Sequence, residues 1–149
     1  MLLRCLSAIG SITAQKPRPA GYIEEPYVLR EHLKKRRLDL GLTQISASKY
    51  FQVEEETYHN WENSNTFPRV RYNPAIILFL GYNPFFEDTS GLSLVDKLIF
   101  HRMQSGLSHK RLGKLLQIDP KYISAWEKEE KIPSLKQQKK LEAWFASIS

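Results

Sequence analysis

Apolar residues recur along most of this chain at spacings of three and four, and glycine, proline and short polar runs break the pattern into segments. Val28, Leu29, Leu33, Arg37 and Leu38 keep helical spacing and predict a helix from about Pro26 or Tyr27 to Leu40, with Gly41 where a left-handed C-terminal residue belongs. Thr43 is a good N-cap for a helix over about 44–51, and a turn at Gln52 and Val53 leads to another over about 55–63. Pro68 punctuates the loop that follows. Pro74 opens a short, very apolar helix that Gly81 ends. Residues 82–91 carry no helical period and read as a linker.

The pattern then restarts. Ser93 with Asp96 resembles a capping box, Leu94, Leu98 and Met103 follow at core spacing, and Gly106 ends that helix. Ser108 caps a helix to about Leu116. Asp119 and Pro120 make an N-cap and first-turn pair for a helix over about 120–129. Ser134 caps the last helix, with Leu135, Leu141, Trp144 and Phe145 expected to face inward. No strand-like alternation competes, so the expected fold is all-α, with about five helices in each of two units. The expected organisation is a disordered basic tail (1–23), a first unit (24–81), a linker (82–91) and a second unit (92–149).

The two units are one sentence written twice. Residues 29–80 align on 94–145 without a gap, and ten of those 52 positions are identical. The identities fall on structural positions: Leu33 and Leu98, Arg37 and Arg102, Gly41 and Gly106, Gln52 and Gln117, Trp61 and Trp126, Glu62 and Glu127, Pro68 and Pro133 among them. Two copies are too few for a solenoid. They describe a duplicated domain, each copy near the lower size limit for a self-sufficient core.

Charge separates the copies. The whole chain is +6, but residues 1–23 carry +3, residues 24–90 hold eight Lys and Arg against ten Asp and Glu, and residues 91–149 hold eleven against six. A basic surface on the second unit favours polyanions. Residues 1–15 lack the continuous apolar core of a signal peptide and read as a tail, or as a start placed too far upstream. One cysteine, Cys5, forms neither an internal disulfide nor a zinc site, and a reducing compartment fits. No run approaches the ~20 apolar residues of a membrane span. The four histidines make no metal-binding pair, and no phosphate loop, nucleophile elbow or supported carboxylate pair is present, so neither an enzyme nor a cofactor is expected.

Two short helices that cross closely need a small residue between them, which Ser48 and Gly113 supply. They also need inward anchors, here Ala47, Phe51, Val53, Tyr58 and Trp61, and Leu112, Leu116, Ile118, Ile123 and Trp126. With these, the run LG-L-[ST], the Trp-Glu pair and the following Pro resemble the Cro/cI (XRE-type) helix-turn-helix family over about 120 residues. The resemblance implies a transcriptional regulator that reads double-stranded DNA with the start of its third helix in the major groove. It implies that Gln44 and His109, at the first position of helix 2, touch DNA, and that Arg37 pairs with Glu62 and Arg102 with Glu127. Base-reading positions would be Pro120, Lys121, Tyr122, Ser124 and Ala125 in the second unit. Lys110, Arg111 and Lys114, with Lys128 and Lys131, would hold phosphates.

The first unit departs from this. Its matching positions are Glu54, Glu55, Glu56, Thr57, His59 and Asn60, and three acids repel phosphate even where they suit the helix dipole. Thr57 and Asn60 remain candidate contacts. Lys34, Lys35, Arg36, Arg69 and Arg71 offer some charge for the DNA backbone. The turn residue that is usually Gly in the family is Gln52 or Gln117 here. Two functions therefore stay open: a bacterial, nucleoid-associated regulator in the cytoplasm reading DNA with both units, or an interaction protein whose acidic first unit binds a homodimer mate or another protein.

Overall fold

The computed structural model describes residues 17–149, so the segment with Cys5 lies outside the described residues. Those residues form eight α-helices, and no strand occurs among them: α1 (Leu29–Asp39), α2 (Gln44–Phe51), α3 (Glu55–Asn63), α4 (Asn73–Leu80), α5 (Leu94–Gln104), α6 (His109–Leu116), α7 (Pro120–Glu127) and α8 (Leu135–Ile148). A 3-10 turn, Val70–Tyr72, precedes α4. The helices gather round two buried clusters. Leu33, Ala47, Phe51, Tyr58, Trp61, Ile76, Phe79 and Leu80 form the first, and Leu98, Leu112, Ile118, Ile123, Trp126, Leu141 and Trp144 the second.

The bounds of α1 and α2 recur 65 residues later in α5 and α6. The cause is local. Thr43 and Ser108 each accept a hydrogen bond from the backbone N–H three residues on, Ser46 and Arg111. Gly41 and Gly106 both turn left-handed, with φ of 66° and 67°, so that Leu42 N–H reaches back to Arg37 O and Leu107 N–H to Arg102 O, each at 3.0 Å. Gln52 and Gln117 take the same conformation, φ 55° and 54°, without glycine's freedom. A non-glycine residue there costs about 1–2 kcal/mol. The turn recovers a backbone hydrogen bond in each case, Val53 N–H to Ser48 O at 3.0 Å and Ile118 N–H to Gly113 O at 2.9 Å.

Several bounds differ from the sequence expectation. α1 begins at Leu29 because the Glu31 carboxylate takes the N–H groups of Tyr27 and Val28 from outside the helix. α7 ends at Glu127, since Glu129 turns left-handed at φ 59°. The second group has four helices rather than five, and the first has four with the 3-10 turn. Leu135 does not face inward. It is the first residue of α8 and 75% exposed, while Leu141 and Trp144 carry the packing.

The segment between the groups is pinned to both. Phe85 packs on the first core, and the Phe86 ring meets Phe100 of α5 edge-on at 5.2 Å. α4 lies directly against α5. At that seam a Cβ on Gly106 would sit 2.8 Å from Cδ of Pro74 and 3.2 Å from Val70 O, so glycine is required for the approach as well as for the turn. The spacing between α3 and α7 is therefore set by this seam, not by the stretched length of a free linker. Among the described residues no helix is long and apolar enough to cross a membrane.

Candidate nucleic-acid interface

Each third helix is held from below by an ion pair. In the first group the Arg37 guanidinium, on α1, donates through Nε and Nη2 to the two Glu62 carboxylate oxygens at 2.7 and 2.9 Å, and through Nη1 to Leu42 O at 3.0 Å. In the second, Arg102 of α5 does the same with Glu127, at 2.6 and 2.7 Å, and with Leu107 O at 3.0 Å. One planar fork thus ties the first helix, the turn after it and the end of the third helix together. Burial pushes the Glu62 carboxyl up, but hydrogen bonds from Arg37 and Gln44 outweigh it and hold the group below its ordinary 4.5. For Glu127 burial likewise acts upward and is outweighed by Arg102 and His109.

Gln44 and His109 complete these pairs. Gln44 Nε2 donates to Glu62 Oε2 at 3.0 Å, and its Oε1 lies 3.1 Å from His59 Nδ1. His109 Nε2 donates to Glu127 Oε2 at 2.8 Å. Both ends of the Gln44 side chain are thus engaged inside the protein, and a direct contact with DNA would have to displace one of them. His109 uses one ring nitrogen and keeps Nδ1. Ala125 is buried and does not present itself to a base.

The remaining positions lie at the surface in two different chemistries. On α6, Lys110, Arg111 and Lys114 are exposed, while Leu112 and Gly113 are buried. Gly113 allows α7 to cross tightly: a Cβ there would meet Ile118 O at 2.5 Å and the Pro120 ring at 3.0 Å. Ser48, its counterpart, is buried and donates its hydroxyl to Ile45 O at 2.8 Å. α7 starts from Asp119, whose carboxylate accepts from Lys121 N–H at 2.9 Å, with Pro120 behind it. Lys121 is exposed and Ser124 half-buried. Two ammonium groups approach the Tyr122 ring, Lys121 at 5.5 Å and Lys131 at 5.2 Å from its centroid. Lys140 of α8 reaches back to Leu116 O at 3.1 Å, where the negative end of α6 attracts it.

At the same place in the first group, Glu54, Glu55 and Glu56 are all exposed, and Thr57 and Asn60 are half-buried. α2 carries a single cation, Lys49. Arg69 and Arg71 stand in the segment after α3, around a groove that Glu54 and Thr57 also line. Tyr58 is legible as an anchor from its spacing, but its hydroxyl is buried without a hydrogen-bond partner among the described residues, and burial raises its pKa steeply. No group of three or more His, Cys, Asp or Glu side chains among the described residues is placed to hold a metal ion.

Comparison with curated proteins and with solved structures gives no match. Comparison with protein families does: residues 101–143, from the last turn of α5 into α8, match the family described as Helix-turn-helix. That span, under a third of the chain, is similar to the DNA-binding helix-turn-helix domains of the Cro/cI (XRE) type.

Proposed function

We propose that the protein is a sequence-specific, double-stranded DNA-binding regulator with two tandem helix-turn-helix units, in which the second unit does most of the reading. The observation that carries this is the exposed basic face of α6 and α7, built on a helix pair that the Arg102–Glu127–His109 constellation holds rigid. Lys110, Arg111 and Lys114 take phosphates. Lys121, free of the core at the start of α7, donates to a base edge such as guanine O6 or N7, with Tyr122 and Ser124 beside it. His109 stands at the start of α6, and with its Nε2–H given to Glu127 the neutral ring presents Nδ1 as an acceptor, suited to a base amino group rather than to a phosphate.

The first unit has the same scaffold and a surface that disfavours a polyanion. Its acids and its occupied Gln44 support the reading that it adds a limited DNA contact through Thr57, Asn60, Arg69 and Arg71, or instead meets a protein partner. Selection from a random duplex pool with the full chain separates these. A two-part site would mean both units read DNA. A single short site would assign reading to the second unit. Three phosphate contacts predict a fall of log affinity with log salt of slope roughly −3. A salt-insensitive, unselective interaction would defeat the DNA-reading proposal.

A further inference from the structure

The seam between the helical groups joins two surfaces, and each group owns both of them. The first group contributes its rear face, Phe67, Pro68, Val70 and Pro74. The second contributes its front face, the C-terminal end of α5 from Met103 to Gly106. The two close tightly at Gly106, against Pro74 and Val70, and leave a groove of about 430 Å³ beside the contact, lined in part by Phe67, Val70 and Met103.

With the 65-residue repeat, the front face recurs on the first group as Leu38 to Gly41, and the rear face on the second as Ile132, Pro133, Leu135 and Lys139. Among the described residues no second helical group packs on either copy. A Cβ on Gly41 would meet nothing within 4 Å, where one on Gly106 collides. Leu40 is 46% exposed, Ile132 87% and Leu135 75%. Residues 17–22 do not take the missing place. Pro17, Pro19 and Tyr22 line the groove at Leu38–Gly41, just as Pro84 and Phe85 line the groove at the seam. Pro84 stands 65 residues after Pro19, so residues 17–22 are part of the front face.

We propose that these two open faces bind each other between copies of this chain, the rear of one to the front of the next, repeating the internal α4–α5 seam. The occupant is argued from continuity with that seam: the same positions already meet once within the chain. Charge does not oppose the contact: Lys136 and Lys139 are exposed at the rear face, and Asp39 on the front is already paired with Lys35 at 2.9 Å. The contact joins unlike faces, so it does not close on itself as a two-fold dimer does; it adds copies head to tail. A seam between single helices is small, which makes the association reversible and concentration-dependent.

The inference does not rest on DNA binding, and its test contains no DNA. Sedimentation velocity of the full chain across a concentration series should show the average mass climbing past that of a dimer. A rear-face variant, Ile132→Asp with Leu135→Asp, and a front-face variant, Leu40→Lys, should each stay monomeric; all three side chains are exposed, and circular dichroism checks that helix content is kept. Mixed in equal amounts, the two variants should form a dimer and stop there, because each retains the face the other has lost. Hydroxyl-radical footprinting at Leu40 should show protection that grows with wild-type concentration. A wild-type chain that stays monomeric overturns the proposal. So does a plateau at the dimer with no recovery in the mixture, which would mean a self-complementary patch. Concentration-independent protection of Leu40 in a monomer would assign residues 1–16 as the cover and also overturn it.

Discussion

The pairs α2–α3 and α6–α7 share a backbone and differ in almost everything they show to solvent. Both start from a capping hydroxyl, both turn through a left-handed glutamine, and both carry in their last turn a glutamate gripped by an arginine from the first helix. Where α6 and α7 present Lys110, Arg111, Lys114 and Lys121, the first pair presents Lys49, Glu54, Glu55 and Glu56. The difference teaches that the scaffold and the recognition surface are chemically separable. The scaffold depends on buried, directional contacts, and a substitution there costs stability. The surface depends on exposed charges, and its sequence drifts freely unless a ligand constrains it.

The sharpest way to break the comparison is at the shared ion pair. Glu62→Ala and Glu127→Ala each strand a buried guanidinium, and each should cost about 3–5 kcal/mol in urea unfolding. The loss should be larger at Glu62, whose side chain is wholly buried, than at Glu127, which is 12% exposed. Equal small losses would mean the pairs do not tie the helices.

The same carboxylates set a pH dependence. Their folded pKa values lie below the ordinary 4.5, so their contribution is present above that value and is lost as pH falls through the folded pKa. Stability should therefore decline in acid below about pH 4.5, and Glu62→Gln should flatten that decline.

The close crossing distinguishes the two pairs next. Gly113→Ala forces a Cβ against a carbonyl oxygen and should cost about 1–3 kcal/mol. Ser48→Ala already has room for its Cβ and loses only one hydroxyl bond, so it should cost about 1 kcal/mol. Thermal unfolding of the two variants checks this.

At the surface, Lys121→Ala should relax base preference at one position and cost about 1–3 kcal/mol of specific affinity. Lys114→Ala should weaken all sequences alike and lower the salt slope by about 1. If both leave DNA binding intact, the contact assignment on α6 and α7 is wrong. The smallest effect belongs to Tyr58, whose counterpart is Ile123. Tyr58→Phe removes an unpartnered buried hydroxyl and should leave stability unchanged or raise it by about 1 kcal/mol in denaturant titration.

Much of the scaffold is legible in the amino-acid sequence, because its signals are local. Thr43, Ser108, Asp119 and Ser134 announce helix starts through side-chain oxygens that reach only a few residues along the chain. Gly41, Gly81 and Gly106 announce stops through a backbone conformation other residues avoid. Leu135 misleads because helical spacing says which residues share a face, not whether another element covers it. Ala125 misleads for the converse reason: the resemblance implies a reading position, yet the folded chain buries it. The internal engagement of Gln44 is also hidden, since it depends on Glu62 and His59, 18 and 15 residues away.

What the sequence determined alone was helix by helix: the all-α class, the 65-residue repeat, the caps and most of the core, all consequences of short-range hydrogen bonding and of periodic apolar burial. What only the tertiary structure decided was where helices from different places meet. It decided that α4 packs on α5 and pins the linker, that Gly106 is a contact glycine while Gly41 is an open one, and that one carboxylate gathers an arginine and a helix-2 side chain in each group. Those facts depend on distances between residues far apart along the chain, and such distances are set only when the cores close.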